Sequence, residues 1–277
     1  MNRDGKGWGA MRTEATGSVL ITGGALRIGR ALCLAMAAHG WTVRVHYRHS
    51  AAAAETLVSE IEAAGGAASA HGGDLATSDG PDRVIDGALA AGPLDLIVNC
   101  ASVFAYDEPA LTDAAIFQEA MAVNLRAPMR LAERLYHHVL ARDAGGVVVN
   151  ILDNGINALT PDYYSYMTTK VGLAAATRMM AMRFAPHLRV GGVAPGLTLI
   201  SGDQTPAEFA RDHGRNPLGR GCDPQDIARA IRFMVDTPSM TGQIVTIDGG
   251  LSMTGPGRDV AFMDDAPLAG DPLSDVE

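Results

Sequence analysis

Short, nearly continuous apolar runs alternate with longer amphipathic or alanine-rich stretches along most of the chain. Ser18–Ile21 reads as a buried strand. It leads into a glycine-bearing turn, Thr22–Gly29, and then an Ala/Leu-rich helix to about His39, where Gly40 stops it. Trp41–Tyr47 is expected as a second strand, Ala51–Ala64 as a second helix, Ala67–His71 as a third strand and Asp79–Ala91 as a third helix. Leu94–Asn99 and Gly146–Leu152 have the composition of strands covered on both faces. Helical patterns fill about 112–143, with Pro128 early in the second of them, and Tyr164–Pro186. Leu188–Ala194 and Gln243–Ile247 close the strand set, separated by a helix Asp223–Asp236 with an Asp-Pro start. The stretch of about 197–215, with Gly202, Pro206 and Gly214, is expected to be an irregular, mobile lid over a substrate.

Strand–helix alternation of this kind predicts an α/β fold, a doubly wound parallel sheet of about seven strands with helices on both faces. No composition shift or repeat divides it, so one domain is expected over 17–253. Residues 1–16 form an expected flexible N-terminal arm, in which Met11 offers a second start. Residues 254–277 form a C-terminal tail, either mobile or a docking arm.

Composition narrows the functional classes. A net charge of −9 argues against a nucleic-acid footprint, which wants a clustered basic surface. No apolar run approaches the roughly 20 residues of a membrane span. The N-terminus lacks the apolar centre of a secretory signal, so a cytoplasmic location is expected. Cys33, Cys100 and Cys222 have no paired spacing and read as reduced thiols, and no metal is expected, because the His residues lack HExxH or CxxC contexts.

Within this frame, Tyr166 and Lys170 carry the first chemical signal. Four residues apart on a helix, they share one face. Free Tyr ionises near pKa 10, roughly, and a neighbouring cation lowers that value. The chain holds 22 Lys plus Arg, yet its lysines are Lys6 and Lys170 alone. A compact ammonium is thus kept one turn after a tyrosine.

The turn Thr22, Gly23 and Gly29 lies between a strand and a helix, where glycines let backbone approach a pyrophosphate at a helix N-terminus; tight strand–helix packing is the alternative. Arg27 in that turn could reach the pyrophosphate or an anionic part of a substrate. The second strand ends in His46, Tyr47, Arg48, His49 and Ser50, with a cation and a hydroxyl in place of the acid that NAD sites carry. NADPH/NADP+ is therefore the expected cofactor. Asp74, with Leu75 beside it, is expected to meet an adenine amino group, or else to cap the next turn.

The glycine turn, Asp74 and Leu75, Asn99 to Ala101, Asn124, Tyr166 and Lys170, Pro195 and Gly196, and the closing Asp248–Gly250 occur in the order and rough spacing of the short-chain dehydrogenase/reductase family, which the chain resembles over about 17–253. The resemblance implies a single-domain Rossmann fold, with Tyr166 as acid/base, Lys170 on the nicotinamide ribose, and Asn124 holding a water and the lysine in a proton relay. The cofactor set it implies also takes in Ile28, Asn99, Ala101, Ser102, Pro195, Gly196 and Thr198.

Departures from the family's common pattern point to one subgroup. Position 153 is Asp, 13 residues before Tyr166, where most members have Ser. An ionised carboxylate only accepts hydrogen bonds, so it suits a substrate that presents N–H groups; a turn cap is its alternative role. Arg27 in the glycine turn, the His46–Ser50 segment, Asn99-Cys-Ala-Ser102 followed by Phe104, and Asp153 together resemble the pteridine reductases and dihydromonapterin (dihydrofolate) reductases. That resemblance implies a flat pterin between Phe104 and the nicotinamide, with Arg27, Ser102, Asp153 and Tyr166 at its edge. The implied reaction is hydride transfer to a C=N bond of a pterin or folate. A ketone or 3-oxoacyl reductase using Ser165 or Thr168 as an oxyanion donor is the alternative. A non-catalytic NADP(H)-sensing protein is a further one. The family also implies a homotetramer through the helices at 112–143 and 161–186. Cys100 replaces the subgroup's second Asn and has no functional reading.

Overall fold

The computed structural model describes residues 17–201 and 204–263. The N-terminal arm, the position of Gly202 and the acidic end of the tail lie outside the described residues.

Seven parallel strands form one sheet in the order β3-β2-β1-β4-β5-β6-β7: β1 Ser18–Ile21, β2 Thr42–Tyr47, β3 Ala67–Gly72, β4 Leu96–Asn99, β5 Gly146–Ile151, β6 Leu188–Pro195 and β7 Ile244–Ile247. Alternate side chains of one strand serve opposite faces. Val19 and Ile21 of β1 join a core with α1 (Arg27–Ala38), α2 (Ala51–Ala63) and α8 (Pro224–Asp236). Leu20 joins the opposite core with α3 (Gly80–Ala90), α5 (Ala127–Ala141) and α6 (Tyr164–Phe184). This is the doubly wound sheet the alternation predicted.

Two buried arginines tie this frame together. Arg189, on β6, donates to the carbonyls of Met234, Val235, Thr237 and Met240, and so caps the C-terminal end of α8. Arg44 reaches the Ala91 carbonyl beyond the end of α3. No described helix is long and apolar enough to cross a membrane.

Three local differences from the sequence reading bear on the site. The expected irregular lid contains a helix, α7, Pro206–His213. A capping box explains it: the Thr205 hydroxyl accepts the Glu208 N–H while the Glu208 carboxylate accepts the Thr205 N–H. The helical stretch after α4 (Ala114–Ala120) passes through a π-helical turn, Met121–Arg126, which carries Asn124. Arg258 and Asp259 fold back against Asp162, so the tail is docked at this point.

Strand order reverses direction between β1 and β4, and the crevice beyond their C-terminal ends is where such sheets bind ligands.

Candidate active site

Thr22 stitches that crevice. Its hydroxyl accepts the N–H groups of Cys100 (2.9 Å) and Ala101 (3.0 Å), joining the turn after β1 to the turn after β4. Gly23 has φ +64, and a Cβ there would lie 2.9 Å from Ala101 Cα; at Gly29 a Cβ would lie 2.1 Å from the Gly23 carbonyl oxygen. Both positions require glycine, and backbone here comes as close as a pyrophosphate needs. Helix α1 starts after Leu26 without a side-chain cap, leaving its first N–H groups for an anion. Arg27 is strained at φ +51, and its guanidinium donates to the Ile200 carbonyl at 2.7 Å. Ile28 packs against the core.

His46 is buried under this cradle. Its Nδ1 accepts the Gly23 N–H at 3.0 Å, and Nε2 faces the Gly73 carbonyl at 3.0 Å. Burial, above all, lowers its pKa to about 4. It thus holds the turn as a neutral ring. Arg48, half exposed, pairs with Asp74 (3.0 Å) and Glu119 (2.8 Å). Asp74 also accepts the Ala76 N–H at 2.9 Å, a turn-cap contact, and Leu75 is buried. Tyr47 flanks Gly72, His49 is exposed, and Ser50 precedes α2 without capping it. The β2 end therefore presents a guanidinium shared by Asp74 and Glu119, for which a ribose phosphate would compete.

Asn99 donates to Asn150, and Asn150 to Thr177, while Asn99 Oδ1 has no hydrogen-bond partner among the described residues. Asn124 is buried, and its amide is spent on the loop after β4: it accepts from the Val103 N–H (2.8 Å) and Ser102 hydroxyl (3.2 Å) and donates to the Val103 carbonyl (2.9 Å). At the end of β6, Pro195 pairs with Ile247 of β7, Gly196 lies close against Asp248, and the Thr198 hydroxyl donates to the Gly196 carbonyl at 2.8 Å.

Asp153, Tyr166 and Lys170, the expected reacting groups, converge near the N-terminus of α6. Asp153 lies two residues past the end of β5 and caps a short 3₁₀ turn by accepting the Gly155 N–H at 2.8 Å through Oδ1. Its other oxygen accepts the Tyr166 hydroxyl at 2.8 Å. The turn-cap role is filled, and the same carboxylate also meets the Tyr166 hydroxyl. Lys170 donates to the Ile151 carbonyl at 2.8 Å, and its ammonium lies 5.3 Å from the Tyr166 ring centroid. Burial pushes Lys170 below the ordinary lysine value, against the pull of Asp153.

Here the sequence expectation is corrected. Tyr166 is raised well above the ordinary phenol value, by burial first, then by the charge of Asp153 and the hydrogen bond to it, then by Asp259. The lysine faces the ring and the carboxylate faces the hydroxyl, so the carboxylate reinforces what burial does. The phenol is held protonated.

Ser165 is corrected too. Its hydroxyl donates to Asp107, whose other oxygen accepts the Ser165 N–H at 2.8 Å. Asp107 caps α6 from a distant loop, and Ser165 is not an oxyanion donor. Phe104 stacks on Tyr163 (centroids 4.1 Å) and meets Tyr166 edge-on (4.7 Å), with 46% of its surface exposed. Tyr163, Tyr106, Asp162 and Arg258 were not singled out in the sequence. The aromatic density of 163–166 was the available signal. Among the described residues no group of three or more His, Cys, Asp or Glu could hold a metal ion.

A family profile described as enoyl-(acyl carrier protein) reductase matches residues 24–252. L-rhamnose 1-dehydrogenase (NAD(P)(+)) of Sphingomonas sp. (strain SKA58) is 30% identical over 244 residues, 84% of this chain and 95% of that protein. The crystal structure of FolM alternative dihydrofolate reductase 1 from Brucella suis in complex with NADP is similar at TM-score 0.79 and 36% identity, covering 87% of this chain and 96% of that one. The promiscuous reductase LugOII, which catalyses keto-reduction at C1 during lugdunomycin biosynthesis, is similar at TM-score 0.77 and 28% identity, covering 87% of this chain and 99% of that one.

Proposed function

The chain belongs to the short-chain dehydrogenase/reductase family of oxidoreductases, and on that premise we propose that it is an NADPH-dependent reductase of a C=N bond in a reduced pterin or folate. The observation that carries the reading is the Tyr166–Asp153 hydrogen bond. A phenol held protonated on a carboxylate is an acid beside an acceptor for N–H groups, the pair that a nitrogen-rich ring needs. The likeness to a dihydrofolate reductase in complex with NADP supports both substrate class and cofactor.

In this reading Thr22, Gly23, Ile28 and Gly29 hold the pyrophosphate. Arg48, with Ser50, takes the 2′-phosphate, Asp74 and Leu75 the adenine, and Asn99, Ala101 and Pro195–Thr198 the nicotinamide end. NADPH, when bound, supplies the hydride. The protein's own residues manage the proton. Tyr166 gives its proton to the nitrogen of the C=N bond as the neighbouring carbon is reduced. The phenolate left behind is strongly disfavoured beside Asp153, so it is reprotonated promptly, with Asp153 passing the proton from solvent. Lys170 holds the ribose, and its charge balances the phenolate. Asn124 keeps the loop bearing Ser102 and Phe104 in place, and its membership of the relay rests on the family resemblance. Arg27, released from Ile200, faces phosphate and substrate.

A homotetramer through α5 and α6 belongs to the same proposal. Met129, Met179 and Met182 are exposed apolar side chains on those helices. The function is tested by following NADPH oxidation with 7,8-dihydropterins, dihydrofolate and simple ketones side by side. Pterin or folate turnover that is lost in Tyr166→Phe supports it. Ketone turnover with inert pterins overturns it.

A further inference from the structure

After β7 the chain turns back across the site and is clasped there. Arg258 Nε donates to both oxygens of Asp162 (3.1 and 2.9 Å), Nη2 adds a bond of 2.9 Å, and the Asp259 backbone N–H adds one of 2.7 Å. The Asp162 carboxylate is fully buried, and the two residues are 96 apart in sequence. A buried carboxylate met by a forked guanidinium is fixed in direction as well as position.

Tyr163, the next residue, has φ +53 and ψ +46, a left-handed conformation that a tyrosine keeps only when its surroundings impose it. The surroundings are aromatic. Tyr106 meets Tyr163 edge-on at 5.4 Å, and Phe262 lies 5.8 Å from it. Phe262 also packs on Tyr106 at 5.2 Å, and the Arg258 guanidinium lies 5.3 Å from the Phe262 centroid. Tyr163 in turn stacks on Phe104, and Phe104 touches Tyr166. An unbroken line of contacts therefore runs from the Arg258 clasp to the catalytic phenol. The same strap carries Asp259, whose pKa burial and the charges of Asp153 and Asp162 push up to about 6, so it is within electrostatic reach of the reacting pair.

We propose that the strap Arg258–Phe262, clasped to Asp162, is the device that positions the substrate ring: through Tyr163 it sets the plane of Phe104, and it shapes the slot beside Tyr166 for a flat aromatic ring. Arg258 and Phe262 are positioning residues in this scheme. The inference deepens the function proposed above and rests on Phe104 being a substrate contact.

The test compares Arg258→Gln, Arg258→Lys, Phe262→Leu and Phe104→Ala in the full chain. Readouts are kcat and KM for 7,8-dihydropterin, the NADPH Kd by fluorescence titration, and the thermal midpoint. Arg258→Gln and Phe262→Leu are expected to raise KM about tenfold or more, the scale of a small misplacement of a bound ring. The kcat and NADPH Kd should hold within about twofold, and Arg258→Lys should recover part of the loss. A lower thermal midpoint with KM unchanged in both strap variants overturns the inference. If Phe104→Ala raises KM and the strap variants do not, the strap inference alone falls. If Phe104→Ala leaves KM unchanged, or the wild type does not turn over dihydropterin, the functional reading falls and takes the inference with it.

Discussion

The Tyr166 hydroxyl donates to Asp153 at 2.8 Å, and the carboxylate adds to burial in holding the phenol protonated. The Lys170 ammonium, bonded to the Ile151 carbonyl, meets the ring and leaves the hydroxyl to Asp153. The resting site is a stored proton on Tyr166.

Replacing Asp153 by Asn removes a charge that raises Tyr166 while leaving its burial. In the proposed reaction the protonated phenol is the active form, so activity is expected to fall as pH rises through the Tyr166 pKa. In Asp153→Asn that basic limb should move to lower pH, and dihydropterin turnover should drop by roughly 10²-fold, the scale of a general acid/base contribution. A pH profile of kcat/KM for both proteins checks this. An unmoved limb would mean that the carboxylate does not control the phenol.

Arg48 should decide between the two nicotinamide cofactors. Its guanidinium is held near the end of β2 by Asp74 and Glu119. Loss of one charge-assisted contact costs about 1.5–3 kcal/mol, or roughly 10–100-fold in affinity. Arg48→Ala is therefore expected to weaken NADPH by that factor and leave NADH nearly unchanged, as measured by titration of each. Equal losses for both cofactors would remove Arg48 from the phosphate site.

His46 makes stability depend on pH. Its folded pKa, about 4, lies below the ordinary 6.5, so the unfolded chain binds the extra proton between these values. The stability it contributes is present above about pH 6.5 and is lost as pH falls toward about 4, by about 3 kcal/mol in all. His71, lowered by its own burial and by Arg44, acts in the same direction. Denaturant midpoints between pH 7 and 4 should show a shallower acid loss in His46→Asn than in wild type, from a lower starting stability.

Arg189 should matter to stability without touching chemistry. It is buried and serves carbonyls at the end of α8. Arg189→Met leaves these acceptors without their donor, at a cost on the order of 3 kcal/mol. A lower thermal midpoint is expected, with KM for NADPH unchanged at low temperature.

The sequence made the sheet legible because burial on both faces writes continuous apolar runs: β1 was read to the residue, and β4 to β7 within two. Tyr166, Lys170 and Asp153 were legible because their spacing is local to one strand–turn–helix unit. Helix α7 was missed although Thr205 and Glu208 spelled its capping box, because glycines on either side suggested a loop. A docking arm was one of two readings of the tail, but where it docks was not legible. Arg258 and Asp162 are far apart in sequence, and nothing local to either announces the other. The raised acidity threshold of Tyr166 was hidden for a similar reason: spacing places the lysine near the tyrosine but does not say which end of the ring it meets.

The most direct test of the account is NADPH oxidation by wild type, Asp153→Ser and Tyr166→Phe, each with a 7,8-dihydropterin and a simple ketone. The account predicts dihydropterin reduction by the wild type, abolished by Tyr166→Phe and severely reduced by Asp153→Ser, with no matching loss of any ketone activity in Asp153→Ser. Dihydropterin turnover that survives in Asp153→Ser, or a wild type that reduces only the ketone, would contradict it.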